Sequence, residues 1–177
     1  MGTISPPQPV LLIVAVSSRY DAALHWAREK IAAEFGVEGG VSPAFDFTET
    51  DYYTATMGAD LKKQFLVPAT PMDPGRLAAI KHLTNQWEIE YATPAGHAEP
   101  RPLNLDPGNL TRAKLVLAST KDHSHRVYLS EGIYAETTLR YRAKQWHPFE
   151  WTYPDYRRED FQAFFTACRE LLHSRAN

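Results

Sequence analysis

Seven consecutive residues near the start of the chain, Val10 to Val16 (V-L-L-I-V-A-V), include no polar side chain. A strand with one wet face alternates apolar and polar positions, whereas a short continuous apolar run suits a strand buried on both sides. The run is far too short to cross a bilayer, which takes about twenty apolar residues. Pro6, Pro7 and Pro9 precede it without a basic segment, so it does not read as a signal peptide. The opening M-G-T-I-S-P places proline where a myristoylation signal needs Ser or Thr. The expectation is a cytoplasmic protein that does not engage a membrane.

The elements that follow are short and of both kinds. Leu24, Ala27, Ile31 and Phe35 recur at helical spacing and end at Gly36, with a turn expected at Gly39-Gly40. Ala44 to Thr50 alternates, with Phe45 and Phe47 on one face and Asp46 and Thr48 on the other, and reads as a half-buried strand. Gln64 to Ala69 reads as its returning partner. Asp73-Pro74 then opens a helix whose stripe is Leu77, Ile80, Thr84, Trp87 and Tyr91, with Lys81, Asn85 and Glu88 on a second face. Asp106-Pro107-Gly108 has the chemistry of a turn. Strands are expected around Leu115-Leu117, Arg126 to Leu129 and Ile133 to Tyr141, the last with Ile133, Ala135, Thr137, Leu139 and Tyr141 on one face. Trp146 to Tyr156 reads as a crossing segment, and Phe161, Phe164, Phe165, Cys168, Leu171 and Leu172 form a final amphipathic helix. The expected fold is α+β, a single domain over residues 1–177 with a proline-rich arm at 1–9. Its antiparallel-rich sheet has a ferredoxin-like βαββαβ start, an added strand meander and a C-terminal helix.

Polar residues gather at the strand ends between Leu103 and Tyr141. Asp46, Asp106 and Glu136 would share one face if their strands were neighbours. Such carboxylates suit a divalent ion held by oxygen, or an acid–base pair; as a structural alternative, Asp106 caps a turn and Glu136 pairs with Arg140. Lys121, His125 and Arg126 form a cationic cluster that fits a phosphate or carboxylate, or else are solvated hairpin charges. His123 and His125 are spaced to share a zinc ion or to sit in a surface turn, and no complete histidine set accompanies them, so no metal residues are assigned. The segment containing Tyr153 either walls a pocket or is an aromatic-anchored loop.

The phrases N-L-D-P-G, K-L-V-L-A-S-T-K-D, H-R-V-Y-L, G-I-Y-A-E-T-T-L and W-T-Y-P-D-Y resemble a bacterial family known as a domain of unknown function, as do T-D-Y-Y-x-x-x-M-G and I-K-x-x-T-N upstream. The resemblance covers nearly the whole chain and implies a single domain; it carries no catalytic residues.

The remaining signals exclude function classes. A net charge of -2 gives no basic footprint for nucleic acid. There is no G-x-x-x-x-G-K-[ST], no G-x-G-x-x-G and no G-x-S-x-G. The single cysteine, Cys168, rules out an internal disulfide and falls on an apolar stripe. Two functions follow. The first is a binder of, or an enzyme acting on, a small anionic ligand at a charged cleft, nucleotide-like molecules being one candidate class, with Asp106, Glu136 and His125 as catalytic candidates and Asp46, Lys121, Arg126 and Tyr153 as ligand contacts. The second is a non-catalytic protein-binding or assembly module that uses an aromatic surface. Charges converging in one cleft favour the first; aromatics on a flat exposed patch favour the second.

Overall fold

The computed structural model describes residues 2–94 and 96–174. Met1, Ala95 and residues 175–177 of the expected 1–177 domain lie outside the described residues. Residues 2–9 are exposed and carry no regular structure, and the chain enters the fold where Val10 bridges to Met72.

The described residues form nine strands and four α-helices. In chain order these are β1 (Leu11–Ser18), α1 (Asp21–Phe35), β2 (Glu38–Val41), β3 (Phe45–Asp46), α2 (Thr54–Met57), β4 (Lys62–Pro68), α3 (Leu77–Ala92), β5 (Asn104–Leu110), β6 (Lys114–Ser119), β7 (Val127–Ser130), β8 (Ile133–Arg142), β9 (Gln145–Pro148) and α4 (Glu159–Ser174). One antiparallel sheet runs β2-β4-β1-β5-β6-β8-β7, with β3 also on β4 and β9 also on β8. The class is α+β. No described helix is long and apolar enough to cross a membrane.

β1 is buried along its whole length, as its unbroken apolar run predicts. Leu11, Ile13 and Ala15 pack with Phe65, Phe161, Phe165 and Cys168 under α4, and burial pushes the Cys168 thiol up to about 12. Leu12, Val14 and Val16 pack with Leu24, Ala27, Ile31, Ile80 and Trp87 under α1 and α3. β1 is therefore the middle layer of a helix–sheet–helix sandwich.

Several expectations give way to tertiary context. The strand expected at Ala44–Thr50 shrinks to Phe45–Asp46, and the supposed glycine turn is strand β2 on the edge of β4. Backbone crowding explains it, since a Cβ on Gly39 would lie 2.8 Å from Ala69 Cα. Asp106-Pro107-Gly108 is not a turn but the middle of β5, paired to β1 from Leu110 to Asn104. There a Cβ on Gly108 would meet Val116 O at 2.4 Å, so only glycine lets β6 approach. Pairing with β6 covers Gly108 to Leu110 and stops, and Pro107 stands where that ladder ends. Beyond it β5 and β6 part.

The even alternation expected along β8 also fails. A bulge opposite Leu115 and Val116 turns the strand over, so Ile133 and Ala135 face α3 while Leu139 joins the α4 layer. β9 occupies residues expected to be a crossing segment.

Candidate functional site

The gap between β5 and β6 is closed by side chains of α3. Lys81, 4% exposed, donates to the Leu105 carbonyl at 2.9 Å and to Asp106 Oδ1 at 3.1 Å. Glu88, two turns on and therefore on the same helix face, accepts the Leu105 N–H at 2.7 Å. Main-chain groups that a neighbouring strand would have satisfied are thus met by a helix, as buried backbone groups require. Lys81, which its spacing places on a second face of α3 with Asn85 and Glu88, is buried, whereas those two are half-buried. Its place just off the apolar stripe hid it, although the seven-residue spacing to Glu88 is legible in the sequence.

Around this gap a polar network spreads on the α4 face. Arg101 donates to Glu88 Oε2 at 2.9 Å and to Asn104 Oδ1, and Asn104 Nδ2 donates to Asp106 Oδ2 at 2.7 Å. Lys63, in the same row as Asn104 with Ser17 between them, pairs with Asp155 and lies 3.8 Å from the Phe47 ring. Burial alone would raise the Asp106 carboxyl, but Lys81, the Asn104 amide and Lys63 outweigh it and hold the group below the usual carboxylate value. Glu88, for which burial dominates, is shifted upward. Asp106 nevertheless keeps 32% of its side chain open, while Lys81, Lys63 and Asn104 beside it are buried. Solvent therefore reaches Asp106 between buried neighbours, and this opening is the recess.

The second half of the network lies on β6, β7 and β8. Arg126 Nε donates to Glu136 Oε2 at 2.7 Å, and His125 Nε2 meets the same oxygen at 3.0 Å. Simple pairing through a turn at Glu131-Gly132 would place these residues on opposite faces. A bulge between Tyr128 and Ser130 shifts the register, so Val127 faces Ala135 and Arg126 comes opposite Glu136. The remaining Arg126 donors reach Ser119 Oγ at 2.6 Å, the Lys121 carbonyl at 3.0 Å and the Tyr153 hydroxyl at 2.9 Å. With side-chain exposures of 3% and 2%, Arg126 and Glu136 face inward. Arg140 is not the partner of Glu136 and instead lies against the Phe149 ring.

The two halves meet across the recess. Burial first, and the Asp106 carboxylate second, push the Tyr53 phenol well up. Tyr153 is raised by burial and lies in the field of both Glu136 and Asp106. Lys121 Nζ donates to the Tyr52 hydroxyl at 3.0 Å, and this bond, with Arg101 nearby, lowers the Tyr52 phenol. Lys121 therefore sits against Tyr52 at the mouth of the recess, with Arg101 within electrostatic reach of the same phenol.

The sequence candidates divide accordingly. Asp106, Glu136, His125, Lys121, Arg126 and Tyr153 come together. Asp46 does not: it pairs with Lys62 on the other face of the sheet, is exposed, and gives only its carbonyl to Arg158. The three carboxylates expected around a divalent ion are thereby separated, and no three described His, Cys, Asp or Glu side chains are grouped as metal ligands. Sequence reasoning missed Ser17, Tyr53, Lys63, Lys81, Glu88, Arg101, Asn104 and Asp155. Two surface hollows of about 410 and 530 Å³ lie toward the other end of β1, and neither includes a member of this network.

The model of one family, described as a domain of unknown function (DUF4416), matches residues 8–172. The chain belongs to the DUF4416 family. No curated protein and no solved structure matches the chain. The matched span takes in β1 through most of α4, and so every DUF4416 residue of the recess.

One prediction arises directly. The folded Asp106 value lies below the unfolded one, about 3.9. Such a group contributes stability that is full above the unfolded value and is lost as pH falls through the folded one. Asp106→Asn removes that contribution and leaves Lys81 without its carboxylate. Melting temperatures of the two proteins should differ most at neutral pH and converge below about pH 4. A gap that stays constant down to pH 3 would show that the Asp106 charge is not what the cations hold.

Proposed function

We propose that the recess between β5 and β6 binds a small anionic ligand, which enters past Tyr52 and Tyr153. The observation that carries this reading is the mouth. Arg101, its side chain 40% open, and the exposed Lys121 both act on Tyr52. Within the network five cations (Lys63, Lys81, Arg101, Lys121, Arg126) meet four carboxylates (Glu88, Asp106, Glu136, Asp155), and among the described residues Lys121 is matched by a phenol rather than by a carboxylate. An anion at the mouth would take the place of solvent on Lys121 and on Nη1 of Arg101, the guanidinium nitrogen that does not already donate to Glu88 or Asn104. Arg126 and Glu136 act as supports that hold Tyr153 and His125. Acid–base chemistry would draw on Asp106, the most open carboxylate of the network core, and on His125, whose Nε2 is already committed to Glu136.

Calorimetric titration with orthophosphate at low ionic strength tests this. Binding should weaken with added salt and should fall about tenfold or more in Arg101→Ala and Lys121→Ala, the loss of one charge-assisted bond apiece. Affinity unchanged in both variants would remove the mouth as the site.

One observation favours the second reading, a protein-binding module. Val127, Tyr128 and Leu129 on the edge strand β7 are 70%, 57% and 42% exposed. An open apolar edge is a template for pairing with another chain. The tryptophans do not contribute to such a surface, since each is buried or half-buried.

A further inference from the structure

Ser17 is 2% exposed, and its hydroxyl has no hydrogen-bond partner among the described residues. It stands between Lys63 and Asn104 in one row of the sheet, on the face that carries Asp106 one row away. A buried hydroxyl left unmet is costly, so the group points to something that completes it. Its surroundings limit what that can be. Asp106 and Asp155 oppose a second anionic group there, and Lys63 and Lys81 oppose an ammonium group. What remains on offer is mixed. Each Asp106 oxygen accepts one bond and retains a free lone pair, Asn104 Nδ2 uses one of its two hydrogens, and Ser17 Oγ both donates and accepts. An uncharged hydroxyl, donor and acceptor at once, matches that set, and carboxylates grip sugar hydroxyls in the same manner elsewhere.

We propose that the floor formed by Ser17, Asn104 and Asp106 is a hydroxyl subsite, and that the ligand is a phosphorylated polyol or sugar. Its phosphate lies at Arg101 and Lys121 and its hydroxyls reach Ser17 and Asp106. This inference rests on the anion-binding reading of the mouth and adds the class of molecule.

The test uses the full chain and calorimetric titration of orthophosphate, glycerol 3-phosphate, ribose 5-phosphate and glucose 6-phosphate. At least one phosphorylated polyol should bind about tenfold tighter than orthophosphate, the value of one good hydrogen bond to a charged group. Ser17→Ala should erase most of that advantage while changing orthophosphate affinity less than about twofold, and should leave the ligand-free melting temperature equal or higher, because an unmet hydroxyl is removed. Asp106→Asn should narrow the advantage too. If orthophosphate binds and no polyol phosphate binds tighter, the hydroxyl subsite is wrong and the mouth stands. If Ser17→Ala keeps the full advantage, Ser17 is not part of the subsite. If neither orthophosphate nor any polyol phosphate binds, both readings fall together.

Discussion

Replacing Lys63 with methionine should destabilise the protein by about 3–5 kcal/mol, the cost of breaking a buried ion pair by removing one partner. Lys63 and Asp155 have side-chain exposures of 7% and 4%, so the stranded carboxylate could not turn to water. The lysine also lies against Phe47 and Tyr156, packing that methionine keeps only in part. Pairing Lys63→Met with Asp155→Leu should recover most of the loss, since an apolar pair of similar volume often does as well as a buried ion pair. Urea melts of the two single variants and the double variant complete the cycle. A single-variant loss below about 1 kcal/mol would mean that Asp155 is solvated, and would weaken the case that α4 and the Pro154–Arg157 turn are pinned to the sheet by this pair.

Arg126→Ala should cost a comparable amount, for a related reason: among the described residues it leaves the buried Glu136 carboxylate with only the His125 ring and the Thr138 hydroxyl beside it, and no guanidinium. Arg126→Lys is the more informative variant. It preserves the charge, but one ammonium cannot span Glu136, Ser119, the Lys121 carbonyl and Tyr153 as the guanidinium fork does. The lysine variant should fold with a lowered melting temperature and should bind orthophosphate about tenfold more weakly, as Tyr153 and the Lys121 turn lose their tether. Losses of stability and binding that scale together across Arg126→Lys, Arg126→Ala and Glu136→Ala would mark the pair as structural alone. Binding that falls further than stability would assign it a positioning role.

The parts of this fold legible in the sequence are those in which local pattern and tertiary context agree. Val10 to Val16 announced a doubly covered strand, and the stripe from Leu77 to Trp87 announced a sheet-facing helix. Most of the departures share one physical origin, tertiary contacts that no local pattern announces. Aspartate, proline and glycine in succession carry turn chemistry, yet at Asp106-Pro107-Gly108 that chemistry served close strand approach and a split sheet. The spacing of Lys81 places it on a second helix face and no more, because nothing local tells of a strand carbonyl waiting across the gap. Arg126 and Glu136 were visible as candidates, but their meeting depended on a bulge at Leu129, where no glycine marks it. Asp46 failed through the opposite mechanism: strict alternation beside Phe45 sent it to the far face.

The most direct measurement of the central claim is amide chemical-shift mapping of the isotopically labelled protein during a titration with orthophosphate. Saturable shifts should concentrate at Tyr52, Tyr53, Arg101, Asn104, Lys121 and Tyr153, and should need about tenfold more orthophosphate, or more, in Lys121→Ala. Shifts confined to Val127–Ser130, or scattered shifts that persist unchanged in Lys121→Ala, would contradict a ligand site in the recess.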